Sequence, residues 1–230
     1  EVLVMDDDID DIVIPGFGKY KDFELKAVNR SGSDEDLGTD KAEAVEIVNA
    51  CMEQGINYLD TARGYTISEE YFGEAIKGSR DKWIIATKSM ARTYDAMKAD
   101  IEISLKNLQT DYIDLYQIHN PSKAEFEQVL AEGGALEGLM EAKEEGKIGH
   151  IGFTTHSLEL FEEALELDWV ETIMFPYNIV ENQGVELIKK WHKVLDSPSQ
   201  NSSVDHLVVN LYAFAEICDV RRDEKTRFVA

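Results

Sequence analysis

Apolar and polar positions follow a repeating two-part pattern from about residue 41 to residue 190. Short, almost continuously apolar runs are each followed by a longer segment in which apolar residues recur every three or four positions. The short runs predict strands that are buried on both faces, and the longer segments predict amphipathic helices. The predicted strands are Ile56–Asp60, Trp83–Lys88, Tyr112–His119, Ile148–Thr154 and Thr172–Phe175.

A helical segment separates each predicted strand from the next. The segment from Phe126 to Glu145 has a candidate break at Gly133 and Gly134. Strands that alternate with helices through short connections are typical of repeated βα units around a parallel sheet, and we count roughly six units. No G-x-G-x-x-G sequence follows an early strand, which favours a (β/α)8 TIM-type barrel over an open doubly wound sheet.

The pattern weakens towards both ends of the chain. The run Ile12–Gly18 could be a first strand that ends in a glycine turn, and His206–Phe214 is one candidate strand in a polar C-terminal segment. A complete barrel needs two more βα units than this segment offers. We therefore expect one barrel domain over residues 1–230, with a recognisable core at 41–190, that is truncated or divergent after the sixth unit.

Composition narrows the classes of function. The 230 residues are 43% hydrophobic, which is typical of a globular domain. The net charge of −23 argues against binding to nucleic acid or to anionic membrane surfaces, both of which need a basic face. No apolar run reaches the roughly 18 residues that span a membrane. Two isolated thiols, Cys51 and Cys218, indicate reduced structural cysteines, so we expect a cytoplasmic protein.

The acidic run Asp6–Asp11 is the one segment that suggests a metal ion. It lacks the central glycine and the terminal glutamate of an EF-hand loop. We therefore interpret it as a solvated acidic segment and predict no metal site.

Three of the predicted strands end on side chains that carry chemistry, Asp60, Lys88 and His119. Tyr65 follows on the loop after the first of them, and Ser68 is the predicted N-cap of the next helix. Catalytic groups of a β/α barrel lie where the strands reach its C-terminal face. Each of the four residues taken alone is more often structural, but their joint position at successive strand ends predicts one active site.

Such a set supports proton donation to a carbonyl oxygen. A tyrosine has an ordinary pKa of about 10, and a neighbouring ammonium favours the phenolate and makes the phenol a better acid. A carboxylate paired with the ammonium would hold it in place, and an imidazole could orient and polarise the carbonyl group. None of these residues supplies electrons, so a reduction would draw hydride from a cofactor.

The segments that contain these residues resemble the aldo-keto reductases. The segments are Leu59-Asp60-Thr61-Ala62 with Tyr65 and Ser68-Glu69-Glu70, Ile85-Ala86-Thr87-Lys88, Ser104 to His119, and Gly146 to Phe153. The resemblance runs from about Lys41 to Lys190. It implies a (β/α)8 barrel that reduces aldehydes or ketones with NADPH, usually without metal. It also implies that Tyr65 donates the proton, Asp60 and Lys88 tune it, and His119 orients the carbonyl.

The resemblance extends to the cofactor. Thr154 and Thr155 stand where the family holds the nicotinamide carboxamide, and Asn178 lies in a segment that matches the strand end beside the cofactor. Met174 stands where the family often has a glutamine, which removes an amide contact. The loops that hold the pyrophosphate and the 2′-phosphate have no clear match after Lys190. NADPH is the expected cofactor, and NADH is the alternative.

Three interpretations remain open from the sequence. The first is a reductase that converts a small-molecule aldehyde or ketone to an alcohol, with hydride from nicotinamide. The second is a non-catalytic barrel that acts as a binding or regulatory protein. The third is an incomplete chain that folds poorly alone, because six units leave the edges of an eight-stranded barrel unpaired. The sequence predicts neither the substrate nor the oligomeric state.

Overall fold

The computed structural model describes residues 13–14, 18–19, 41–176, 183–188 and 190. The chain divides into two compact units, Glu1–Lys41 and Ala42–Ala230. The described residues of the first unit form two short strands, β1 (Val13–Ile14) and β2 (Gly18–Lys19), which pair antiparallel. The candidate strand predicted in the run Ile12–Gly18 is therefore present as β1, and it pairs with β2, which begins at the last residue of that run.

The second unit is built on a parallel sheet of five strands. Every strand pairs with the next in chain order, in parallel register. The predicted βα repetition is thereby confirmed over the described part of the chain. The strands are β3 (Tyr58–Asp60), β4 (Ile84–Ser89), β5 (Ile113–His119), β6 (Ile148–Thr154) and β7 (Thr172–Met174).

Helices fill the connections between the strands. They are α1 (Lys41–Glu53), α2 (Ser68–Ala75), α3 (Tyr94–Asn107), α4 (Lys123–Leu130), α5 (Ala135–Glu144) and α6 (Leu158–Ala164), with a 3₁₀ turn at Arg80–Lys82. Residues 185–188 are also helical. None of the helices within the described ranges combines the length and the apolar character that crossing a bilayer requires.

The candidate break between α4 and α5 is present, and the two glycines explain it. Gly133 has φ +72°, a conformation that glycine adopts without a steric penalty. A Cβ atom on Gly134 would lie 2.3 Å from the carbonyl oxygen of Val129, so a larger residue could not be placed there without moving the backbone. The two glycines therefore allow the turn between α4 and α5, and Gly134 is the N-cap residue of α5.

The start of α2 differs from the prediction. Its N-cap is Ile67, no side chain caps the helix, and Ser68 is its first helical residue. The prediction that Ser68 is the N-cap is wrong because its hydroxyl bonds elsewhere, accepting a hydrogen bond of 2.8 Å from the Thr61 hydroxyl. This bond joins the two ends of the loop between β3 and α2.

The hydrophobic core lies between the sheet and the helices. On α3 the apolar face is buried, with Met97 and Ile101 at 1% exposure or less. Phe126 of α4 stacks on Phe153 of β6 with ring centroids 5.3 Å apart. Because all five strands run in the same direction, their carboxyl ends lie along a single edge, and the loops that follow them share that edge.

Candidate active site

The carboxyl edge of the sheet brings the predicted catalytic residues together. Asp60 is the last residue of β3, Lys88 is the penultimate residue of β4, and His119 is the last residue of β5. Tyr65 lies on the loop between β3 and α2. Thr154 ends β6 on the same edge. Adjacent parallel strands therefore present these residues in chain order along one rim.

Lys88 and Asp60 form a buried ion pair. Lys88 is 2% exposed, and its ammonium lies 2.6 Å from Oδ2 of Asp60 and donates a second hydrogen bond of 2.9 Å to the carbonyl oxygen of Thr61. Burial raises the pKa of Asp60, and the neighbouring ammonium offsets only part of that effect. Oδ1 of Asp60 is buried and has no hydrogen-bond partner among the described residues. The carboxylate is therefore held in place mainly by the lysine.

Tyr65 faces both the ammonium and the imidazole. The Lys88 Nζ atom lies 5.1 Å from the centroid of the tyrosine ring. The ring of His119 lies edge-on to the tyrosine, with the ring centroids 5.9 Å apart and the planes at 86°. The tyrosine ring thus lies beside both the ammonium and the imidazole at the rim of the sheet.

His119 is held as a neutral imidazole. Burial lowers its pKa, and the positive charges of Lys88 and Arg92, with His156 nearby, lower it further to about 4. Nδ1 of His119 is buried and has no hydrogen-bond partner in the described part of the chain. Arg92 also anchors the strand end, because its guanidinium donates a 2.9 Å hydrogen bond to the carbonyl oxygen of His119.

Thr154 and Thr155 lie at the end of β6, and both are buried. The hydroxyl of Thr154 accepts a hydrogen bond of 2.9 Å from the backbone N–H of Asn120, and that of Thr155 accepts one of 3.0 Å from Ser157. Each hydroxyl acts as an acceptor in these bonds, so its own O–H can donate to a carboxamide oxygen, and the pair fits the predicted contact. Asn178 lies outside the described residues.

Sequence reasoning missed Asn120. It follows His119 directly and has φ +39°, a conformation that asparagine tolerates better than most residues. Besides the bond to Thr154, its side-chain oxygen accepts a hydrogen bond of 3.2 Å from the backbone N–H of His156. The dipeptide Asn120-Pro121 after an apolar run was a turn signal that could have indicated this role.

Gln117 was also missed. It precedes His119 by two positions on β5, so both side chains point to the same face of the sheet. It lies opposite Lys88 of β4 and Gly152 of β6 in the register. Gln117 is fully buried, and neither its amide oxygen nor its amide nitrogen has a hydrogen-bond partner among the described residues. Its polar side chain within an apolar run was the only signal.

A third missed residue is Glu69, which lies in one of the segments that carry the resemblance but to which sequence reasoning assigned no role. Its carboxylate is 1% exposed and accepts hydrogen bonds from several elements behind the rim. No local pattern predicts the bonds from Thr87 and Ser104, because these donors follow Glu69 by 18 and 35 positions in the chain.

No metal centre accompanies these residues in the part of the chain that the structure describes. No group of three or more His, Cys, Asp or Glu residues could hold an ion there. The acidic run Asp6–Asp11 lies outside the described residues.

Comparisons with known proteins find relatives of one family. Residues 29–195 match the profile of the "Aldo/keto reductase family". The chain is 35% identical over 170 residues to aldo-keto reductase YhdN of Bacillus subtilis, an alignment that covers 68% of this chain and 50% of that protein. It is 36% identical over 129 residues to the glyoxal reductase of the same organism, covering 54% of this chain and 44% of that protein. The chain spans about half the length of these curated relatives.

One further similarity is short. A 41-residue stretch is 66% identical to chaperone protein HtpG of Treponema denticola. The match covers 18% of this chain and 6% of that protein, which is too little to bear on fold or function.

Solved structures show the same fold. The holo form of aldo-keto reductase AKR11C1 from Bacillus halodurans superposes with a TM-score of 0.60 at 32% identity, covering 75% of this chain and 58% of that one. An aldo-keto reductase from Klebsiella pneumoniae in complex with NADPH superposes with a TM-score of 0.57 at 24% identity, covering 66% and 55%. The predicted TIM-type barrel is confirmed, and the five parallel strands are part of such a barrel.

Proposed function

Because the chain belongs to the aldo/keto reductase family, we propose that it reduces the carbonyl group of a small aldehyde or ketone to an alcohol with NADPH. The observation that carries the proposal is the convergence of Asp60, Tyr65, Lys88 and His119 on one rim. The sequence similarity to a glyoxal reductase supports small carbonyl compounds as the substrate class.

Tyr65 is the proposed proton donor. As charge develops on the carbonyl oxygen, the phenol transfers its proton, and the Lys88 ammonium stabilises the phenolate that remains. Asp60 keeps the ammonium in place, because its Oδ2 atom is one of the two acceptors, with the Thr61 carbonyl oxygen, that the described structure gives Lys88. Both acceptors lie on β3 or immediately after it, so the ammonium is held on the side of the rim where the tyrosine loop begins.

His119 is proposed to orient the substrate. With a pKa of about 4 it is neutral near pH 7, so it donates one hydrogen bond to the carbonyl oxygen and carries no extra proton. A neutral imidazole polarises the carbonyl group without competing with the tyrosine as the acid. The T-shaped contact between the His119 and Tyr65 rings supports a substrate position that both residues share.

NADPH, when bound, would supply the hydride that the four residues lack. The hydroxyls of Thr154 and Thr155 are the proposed donors to its carboxamide, and Asn178 is the third proposed contact. Thr155 is well placed to keep its position, because its backbone N–H also bonds to the carbonyl oxygen of Met174 at the end of β7. NADH is the alternative cofactor.

Cofactor binding and turnover of the 230-residue chain test the proposal. NADPH is titrated against the protein's tryptophan fluorescence, and glyoxal and other small aldehydes are then assayed for NADPH oxidation. We expect saturable quenching and turnover, with NADPH preferred to NADH. Tyr65→Phe should lower kcat by about 10² to 10⁴ and leave the Kd for NADPH unchanged, because the hydroxyl acts on the substrate only. Tyr71→Phe, the same change on α2, is the matched control.

Two results would contradict the proposal in different ways. Failure to bind either nucleotide would exclude a nicotinamide-dependent reductase. Binding without turnover of any aldehyde would instead support the non-catalytic barrel, in which Tyr65→Phe would have no functional effect.

A further inference from the structure

A single buried carboxylate lies behind the rim of the sheet and is saturated with donors. Oε1 of Glu69 accepts hydrogen bonds from the hydroxyls of Thr87 at 2.9 Å and Ser104 at 2.7 Å. Oε2 accepts bonds from Arg63 Nη1 at 2.8 Å and from the amide of Asn107 at 3.3 Å. Both oxygens are thus used twice, and the orientation of the carboxylate is fixed.

The donors connect the two parts of the chain that the proposed proton transfer requires. Thr87 immediately precedes Lys88 on β4, and its side chain points to the opposite face of the strand. Arg63 lies two residues before Tyr65 on the loop after β3. One oxygen of Glu69 therefore holds the strand that carries the ammonium, and the other holds the loop that carries the phenol.

Further bonds close this loop at its base. The backbone N–H of Arg63 donates to the carbonyl oxygen of Lys88 at 2.9 Å, and the Lys88 ammonium donates to the carbonyl oxygen of Thr61. The Thr61 hydroxyl donates to the hydroxyl of Ser68 at the other end of the loop. Tyr65 thus lies in a loop whose two ends are hydrogen-bonded to each other and to β4. The bond between Arg63 and Glu69 differs from these because it joins two oppositely charged side chains.

The charged bond between Arg63 and Glu69 is short, and the glutamate side of it is buried. Arg63 is partly buried, and burial is the largest single influence on its pKa and opposes its charge, but the hydrogen bond to Glu69 and the negative charges of Glu69 and Asp100 together raise the pKa of Arg63. Asp100 adds a second, longer contact at 3.7 Å from Arg63 Nε. A buried ion pair contributes little net stability compared with apolar side chains of the same volume. We therefore expect the ion pair between Arg63 and Glu69 to affect the position of the loop more than the stability of the fold.

We propose that Glu69 is a positioning residue that sets the separation between the Tyr65 phenol and the Lys88 ammonium, by tying the tyrosine loop through Arg63 to the lysine strand through Thr87. The inference rests on the proposed function for the role of Tyr65, but the geometry of the tie does not. Glu69 contacts neither substrate nor cofactor and acts only through these two neighbours.

Four variants of the full chain test it. Glu69→Gln removes the negative charge and turns one acceptor into a donor that faces Arg63 or Thr87. Arg63→Met leaves Glu69 bonded to Thr87 and Ser104 and cuts only the tie to the loop. Arg63→Lys restores a single charged bond. Glu70→Gln is the matched control, because it is the same change at the next residue, where the side chain is exposed.

Hydrogen exchange gives a readout that needs no activity. Backbone amides of the loop are protected by bonds such as Tyr65 N–H to the Ala62 carbonyl oxygen and Ser68 N–H to that of Tyr65. We expect exchange over residues 62–68 to become at least about tenfold faster in Glu69→Gln and Arg63→Met, with β5 and α3 unchanged in Arg63→Met. Arg63→Lys should recover most of the protection, and Glu70→Gln should match the unmodified chain.

Kinetics give the second readout. A displaced acid loses transition-state stabilisation, so kcat should fall about tenfold to a hundredfold in Glu69→Gln and Arg63→Met, with KM and the Kd for NADPH within twofold. Arg63→Lys should restore most of kcat.

The outcomes separate this inference from the proposed function. Unchanged exchange over residues 62–68 in Arg63→Met overturns the positioning role, as does a kcat loss that Arg63→Lys fails to reverse at all. If Glu69→Gln does not fold, Arg63→Met alone decides. If the unmodified chain shows no turnover, the proposed function fails, whereas faster loop exchange in Arg63→Met still supports the tie.

Discussion

The two ends of the parallel sheet both carry carboxylates paired with cations, and they differ in how completely those carboxylates are bonded. At the amino end, Oε1 of Glu171 accepts hydrogen bonds of 2.6 Å from Lys143 and 2.9 Å from the backbone N–H of Ile151. His150 Nδ1 lies 2.8 Å from Oε2. At the carboxyl end, Asp60 has Lys88 on one oxygen, and its other oxygen is buried without a partner among the described residues.

The pKa values move in opposite directions at the two ends. Burial alone would raise the pKa of Glu171, but the bonds from His150, Lys143 and Ile151 outweigh it and lower the pKa to about 2. Burial of Asp60 prevails over Lys88, so its pKa is raised. At neutral pH the charged form of Glu171 therefore stabilises the fold, and that of Asp60 opposes it. Burial of the charged Asp60 thus lowers the stability of the fold, and a site that needs a fixed ammonium can explain why this charge is present.

The largest expected effect comes from breaking the pair at the carboxyl end. Lys88→Met should lower kcat by about 10² to 10⁴, because the phenolate loses its counter-charge, and should also destabilise the fold, because Asp60 is left buried alone. Turnover and thermal unfolding are measured together. The double variant Asp60→Asn, Lys88→Met should recover most of the lost stability and none of the activity. Recovery of activity in the double variant would contradict the proposed role of the pair.

An intermediate effect is expected at the amino end, on stability alone. Above its ordinary pKa of 4.5, Glu171 contributes stability that is lost as the pH falls towards its folded-state pKa of about 2. Glu171→Gln should therefore lower the free energy of unfolding by about 2–3 kcal/mol near neutral pH, and the difference should vanish at about pH 2. Urea unfolding at the two pH values measures it. A loss of stability of the same size at both pH values would show that the charge of Glu171 is not the cause. The kcat value should be unchanged in this variant.

The smallest expected effect is the pH dependence that His119 adds. Its pKa falls from an ordinary 6.5 to about 4 in the folded chain, so the unfolded chain takes up a proton first as the pH falls. Stability should decrease between about pH 6.5 and pH 4, by an amount of order 1–2 kcal/mol because the ring is partly exposed. His119→Gln should remove the change in stability between pH 6.5 and pH 4. It should leave the change that Glu171 causes at lower pH as it is. An unchanged slope between pH 6.5 and pH 4 would contradict the lowered pKa.

Most of the parallel sheet could be predicted because its signal is local. Strands covered on both faces are apolar runs whatever the rest of the chain does, and the predicted range Ile148–Thr154 coincides with β6. The meeting of Asp60, Lys88 and His119 followed from one further rule, that parallel strands end at a common edge. The candidate strand in the run Ile12–Gly18 is present as β1, but the run did not predict its antiparallel pairing with β2, because an apolar run followed by glycines does not specify its partner strand.

The polar support of the site could not be predicted, because it depends on partners far apart in the chain. Glu69 bonds to donors on β4 and α3 that follow it by 18 and 35 positions. Serine is a residue type that often caps helices, but in the folded loop the Ser68 hydroxyl accepts a hydrogen bond from the Thr61 hydroxyl. A hydroxyl or carboxylate side chain can form several alternative bonds, and only the packed neighbours decide which one it makes.

By itself, then, the sequence determined the order of strands and helices and the residue types at the rim, because burial pattern and strand polarity are properties of short segments. The tertiary structure alone decided how those residues are held. It neutralises His119, leaves one oxygen of Asp60 unsatisfied within the described residues, and ties the tyrosine loop to the lysine strand through Glu69. These properties depend on distances of a few ångströms between distant segments, and the strength of charges and hydrogen bonds changes steeply over such distances.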